Sequence, residues 1–160
     1  MSAWSLFKTT WSLRLFALAK IPLIAIVRPR ILAVDDKQCQ VRVPLNWVTR
    51  NHVGSMYFGA LSIGADLAGG WIVMSMIRKR RSRATFLFKD MSAEFLKRAE
   101  GAVVFTCQDG DKLKTLLDSA EASGKRVDDT VEVIATVPSK LGTTPVAIFK
   151  MTISLKVYSA

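Results

Sequence analysis

From Ser55 to Trp71 the chain is built almost entirely of small and apolar residues, and Asp66 is the only ionisable side chain there apart from the Tyr57 phenol. The apolar character continues through Ile77 before a basic run begins at Arg78. This stretch reads as one long helix, with Ser55 as its expected N-cap. Four glycines, at 59, 64, 69 and 70, each weaken a helix interior by roughly 1 kcal/mol relative to alanine. Small residues let such a helix sit tightly on a sheet or leave room for a ligand. A carboxylate among Ile63, Leu67 and Ala68 is either a hydrogen-bonded structural group or a functional one. Burying it unpaired would cost several kcal/mol and would raise its pKa towards the range useful to a base.

The flanking sequence sets what this helix packs against. Before it, Cys39, Val41, Val43, Leu45 and Trp47 alternate with polar residues and Pro44, the pattern of a strand with one buried face. After it the chain is mostly strand: 84–90, then a bend at 94–101, followed by 102–108, 126–137 and 146–157. A helix over 112–122, capped by Asp109 or Asp111 and closed by Gly124, interrupts them. Short turns between the strands imply an antiparallel sheet and the α+β class.

Residues 1–36 are expected to form an N-terminal helical segment on a domain spanning 37–160. Trp4, Phe7, Trp11, Leu15 and Leu18 recur at helical spacing. That stripe is expected either to pack on the domain or to lie on anionic lipid, a peripheral membrane contact. Pro22 and Arg28 interrupt any run of about 20 apolar residues able to span a bilayer.

Charge is divided unequally along the chain. Residues 1–83 hold thirteen Lys/Arg against three Asp/Glu, whereas residues 84–160 hold ten of each, so the net charge of +10 belongs to the first half. Such an excess predicts an anionic partner, and no nucleic-acid-binding motif accompanies it, so nucleic acid is not expected. Cys39 and Cys107 read as reduced core residues of a cytoplasmic protein. A single histidine and the lack of a Cys-x-x-Cys pair argue against a zinc site, and no metal is expected.

With these elements in order, Asn51-x-x-Gly54-Ser55, followed by Asp66 fifteen residues after the Asn, resembles the motif of hotdog-fold acyl-coenzyme A thioesterases. The resemblance covers about residues 38–158. It implies a curled antiparallel sheet wrapped around the central helix, here with an extra N-terminal helix and an inserted helix. It also implies a homodimer or dimer of dimers acting on an acyl-coenzyme A or acyl-carrier thioester, with coenzyme A entering only as part of the substrate and no separate cofactor.

By the same resemblance, Asp66 is the base or nucleophile and Asn51 orients water or the carbonyl across the subunit boundary. The backbone N–H of Phe58 or Gly59 supplies the oxyanion hole, beside Tyr57 and Ser55. The family's His-Gly-Gly is replaced by Tyr57-Phe58-Gly59, so that a bulky Phe58 stands where the family has glycine and either crowds the thioester or reshapes the acyl pocket. Three readings follow: thioester hydrolysis, acyl or lipid binding without cleavage, and dehydration of a hydroxyacyl thioester by His52 with Asp66. The basic cluster Arg78, Lys79, Arg80, Arg81 and Arg83 suits the phosphates of coenzyme A in all three.

Overall fold

A computed structural model describes residues 3–158; the outer ends of the two expected segments, residues 1–2 and 159–160, lie outside the described residues. Helices α1 (Ala3–Lys20) and α2 (Pro22–Ile26) precede strands β1 (Arg30–Val34) and β2 (Cys39–Val43). The long helix α3 (Phe58–Arg80) follows, and after it come β3 (Ala84–Phe95) and β4 (Val103–Cys107). Helix α4 (Gly110–Ser123), β5 (Val127–Thr136), the single turn α5 (Pro138–Leu141) and β6 (Pro145–Val157) complete the chain.

The six strands form one sheet in the order β1-β2-β4-β5-β6-β3, and every neighbouring pair is antiparallel. Helix α3 runs across β2, β4, β5 and β6, and α4 packs on β5 and β6 beside it. This is the hotdog architecture. Phe105, Phe149, Met151, Ile153 and Leu155 are fully buried beneath the helices. Gly64 explains the close seat of α3: a Cβ there would collide with the Phe105 ring. Although α3 is long and apolar enough to cross a membrane, most of that stretch is buried inside the protein.

Several elements depart from the sequence expectation. Strand β1 falls within residues read as purely helical, and it lengthens the sheet beyond β2. Its backbone also anchors α1, because the Ile31 N–H donates to the buried Thr10 hydroxyl at 3.1 Å. Strand β2 ends at Val43, so Trp47, expected on the buried face, is 81% exposed. Strand β3 runs to Phe95, through what reads as a bend, because it pairs with β6 along its whole length despite a bulge at Phe88/Asp90.

Helix α3 starts at Phe58 with Tyr57 as N-cap, while Ser55 serves the preceding loop instead. Asp109 does precede α4, but its side chain caps no helix N–H. Its Oδ2 accepts from the Glu132 N–H at 2.7 Å. Gly124 closes α4 in the left-handed region, φ 63°, with its N–H bonded to the Ala120 carbonyl.

The N-terminal helix packs on the domain through a different face from the one the Trp spacing singles out. Leu13 and Ala17 are fully buried, Thr10 nearly so, and Leu6 packs beside them. The stripe of Trp4, Phe7, Trp11, Leu15 and Leu18 lies in solvent. Two apolar stripes therefore run along one helix, and the aromatic one is the outer.

Candidate active site

Asp66 stands just over two turns into α3, on the flank of the helix that faces α1, α2 and β3. The wall opposite is made by Leu13 and Phe16 of α1, Ile21 and Ile24 around α2, and Phe86 and Phe88 of β3. Between them lies a cavity of about 510 Å³, in the size range of small-ligand pockets. Asp66 is its only ionisable lining residue among those described. With no hydrogen-bond donor or cation beside it, burial alone raises the Asp66 carboxyl from the ordinary 3.8 to about 6. The group is therefore half-ionised at about pH 6 and mostly ionised at neutrality, in the range useful to a general base.

Trp71 also lines this cavity. Trp71 Nε1 is buried and has no hydrogen-bond partner, a state that costs about 1–3 kcal/mol. The Arg78 guanidinium lies 5.8 Å from the Trp71 ring centroid and 5.9 Å from that of Phe16, tying α3 to α1. Gly70 also lines the wall, where a Cβ would make only ordinary contact with Phe86 and Phe88 at 3.5 Å. The sequence singled out Asp66 but not its enclosure. Leu13, Phe16 and Ile24 come from a segment whose more prominent aromatic pattern concealed its inner face.

Asn51 lies elsewhere in the same chain, in the loop between β2 and α3. Its Oδ1 accepts from the Val53 N–H at 3.0 Å and the Ser55 N–H at 3.1 Å, and its Nδ2 donates to Ser55 Oγ at 3.0 Å. The loop closes further through Asn51 N–H to the Ser55 carbonyl, with Gly54 in the left-handed region at φ 82°. Asn51, Gly54 and Ser55 thus build a rigid turn that leads into α3. His52 is exposed at this turn and does not line the Asp66 cavity.

At the start of α3, the Phe58 and Gly59 N–H groups have no intrahelical acceptor, and no side chain caps them. The Tyr57 and Phe58 rings, 4.7 Å apart, point outwards, with Phe58 58% exposed, and neither enters the Asp66 cavity. Within one chain, then, the loop residues and Asp66 are not brought together. Of the basic cluster, Arg80 pairs with Asp118 and Glu121, Lys79 pairs with Asp36, and Arg78 stacks on the two rings. Arg81 and Arg83 are the members without such a contact among the described residues. The cluster sits at the end of α3 opposite the Asn51 loop.

The two cysteines face each other across β2 and β4, fully buried. Burial pushes the Cys107 thiol up to about 11 and Cys39 higher still, so both are inert core groups.

A helix-wrapping antiparallel sheet with a lone carboxylate at an apolar cavity defines a hotdog-fold protein. More particularly, the chain belongs to the family described as a domain of unknown function, DUF4442, which it matches over residues 9–157. Among solved structures it is similar to a Pseudomonas aeruginosa protein of unknown function described as a probable thioesterase. That pair has a TM-score of 0.77 and 23% identity, covering 93% of this chain and 96% of the other. A Chlorobaculum tepidum protein of unknown function gives a TM-score of 0.81 at 15% identity, covering 96% and 97%. A thioesterase from Haemophilus influenzae gives 0.66 at 11%, covering 89% and 88%. No curated protein matches by sequence. At these identities the likeness is one of fold.

Proposed function

We propose that this protein hydrolyses a thioester of an acyl group carried on coenzyme A or a carrier protein, with Asp66 as the base. The observation that carries the reading is the unpaired Asp66 carboxylate on an otherwise apolar cavity large enough for an acyl chain. The names of the similar structures support it. In the reaction, ionised Asp66 takes a proton from water and the resulting hydroxide bonds to the thioester carbonyl carbon. The tetrahedral intermediate collapses with cleavage of the C–S bond. The thiolate leaves with the proton, giving a free acid and a thiol. Free N–H groups at the start of α3 are suited to hold the developing oxyanion.

A second copy of the chain completes this site in our reading. β3 is an edge strand, paired with β6 on one side only and exposed from Lys89 to Phe95, with Leu87, Met91 and Phe95 in solvent. Because Thr85 and Leu87 of that strand also line the Asp66 cavity, a copy pairing there lies at the cavity mouth. The partner subunit's Asn51 and α3 start would then face Asp66. Sedimentation at micromolar concentration is expected to show a dimer, and a strict monomer contradicts the shared site.

The test is a panel of acyl-coenzyme A thioesters of varied chain length, assayed for thiol release with wild type and Asp66→Ala. Release that disappears in Asp66→Ala is expected, and release that survives it overturns the mechanism. One observation favours the alternative of acyl binding without cleavage: within the chain, Asn51 is already occupied by its own turn. In that case no thioester is cleaved, yet acyl ligands raise the melting temperature of wild type.

A further inference from the structure

A second concavity, which shares no lining residue with the Asp66 cavity, lies between α1, the link from α2 to β1, and strands β1 and β2. Its volume is about 650 Å³, and Arg14, Arg28, Arg30 and Arg42 all line it with no acidic residue among the lining. Arg30 and Arg42 are direct cross-strand partners on β1 and β2, where like charges oppose each other unfavourably. Arg28, at the end of α2, is held in the left-handed region at φ 54°, a conformation that disfavours residues with a Cβ. Arg14 donates from Nε to the Pro29 carbonyl at 3.3 Å. Among the described residues none of the four is ion-paired, whereas Lys79, Arg80, Lys89 and Lys114 each hold a carboxylate. Four guanidinium groups gathered without a counter-charge fit a phosphate.

The rim of this concavity specifies which kind of phosphate. Phe7 and Trp11 line it and also belong to the exposed apolar stripe, which continues through Leu15 and Leu18 to Leu23 and Ile26. Before Asp35 the chain carries Lys8, Arg14, Lys20, Arg28 and Arg30 and no acidic residue. A water-soluble phosphate ester has no use for a stripe of exposed Trp, Phe, Leu and Ile. A phospholipid has both parts, a phosphate for the arginines and acyl chains for the stripe.

We propose that the outer face of α1 and α2, with the Arg14-Arg28-Arg30-Arg42 pocket, docks the protein on a bilayer containing anionic phospholipid. The aromatic stripe enters the headgroup and acyl boundary and the arginines take the lipid phosphate. On their inner face the same helices wall the Asp66 cavity, so the bilayer lies about one helix diameter, roughly 10 Å, from it. This inference stands on the outer surface and does not depend on the hydrolytic reading.

The test is cosedimentation of the full chain with vesicles of phosphatidylcholine alone and of phosphatidylcholine mixed with phosphatidylglycerol. Wild type is expected to bind the mixed vesicles only, less strongly as salt rises, with a blue shift of tryptophan emission from Trp4 and Trp11. Substituting Arg28→Gln, Arg30→Gln and Arg42→Gln together is expected to weaken binding about 100-fold. Removal of opposed charges should leave the melting temperature equal to or above that of wild type. Trp11→Ser, at an exposed position that does not threaten the fold, is expected to weaken binding at least tenfold. Failure of wild type to bind mixed vesicles overturns the proposal. So does binding that both variants retain, or an arginine pocket that takes free inorganic phosphate while ignoring vesicles.

Discussion

The two sides of α3 are built to opposite standards. On the side that meets β4, β5 and β6, Gly64 lets the helix seat on Phe105, and Gly69 meets Met151 and Val131 at 3.1 and 3.4 Å. Packing there is tight and wholly apolar. On the side that faces α1, α2 and β3 there is a cavity, a carboxylate with no partner and an indole N–H with no acceptor. A chain that fills one side so closely has the means to fill the other. Unpaired polar groups around an apolar cavity are the local inconsistencies expected where structure is subordinate to function.

The largest effect that distinguishes the two sides is electrostatic. Because the folded pKa of Asp66, about 6, lies above its ordinary 3.8, folding favours the protonated form. The associated stability is fully present below the unfolded value and is lost as pH rises through about 6, a difference of at most about 3 kcal/mol. Asp66→Asn is therefore expected to melt above wild type at about pH 8 and close to it at about pH 4. Equal melting of the two proteins at both values would place Asp66 in water.

Next in size is a steric comparison between two glycines on the same helix. Gly64→Ala forces a methyl group into the fully buried Phe105 ring and is expected to lose about 1–3 kcal/mol in denaturant unfolding. The same change at Gly70 meets only ordinary contacts and gains helix propensity, so it is expected to be neutral or to stabilise by up to about 1 kcal/mol. Matching losses at both positions would mean the cavity side is as tightly packed as the sheet side. Smallest is Trp71→Phe, which removes an unpartnered buried N–H along with part of the ring. It is expected to change stability by no more than about 1 kcal/mol, and a much larger loss would reveal a bonding partner for Nε1.

Much of this was legible in the sequence because periodicity reports burial. The alternation at Cys39, Val41 and Val43, the Leu113-Leu116-Leu117-Ala120 spacing and the long apolar run each fixed an element. Asp66 was conspicuous as a charge among apolar neighbours. The remainder was hidden where two signals overlapped or where tertiary pairing decided the outcome. In α1 the Trp4-Phe7-Trp11 stripe outweighed the shorter, smaller Leu6-Thr10-Leu13-Ala17 face that does the packing, so the roof over Asp66 went unseen. Strand β1 was obscured by the basic and Pro-containing sequence beside it, since its pairing with β2 is a long-range fact. The four arginines lining the outer pocket are scattered from 14 to 42, and only the fold gathers them.

The central claim, that the cavity side of α3 holds a reacting carboxylate, is tested most directly by the pH dependence of thiol release from an acyl-coenzyme A that wild type cleaves. The expected kcat/KM rises with pH through about 6 and then levels. Asp66→Asn, correctly folded by its melting curve, is expected to lose roughly 10²–10⁴-fold at the plateau. A profile without that rise, or an Asp66→Asn protein with wild-type activity, would contradict it.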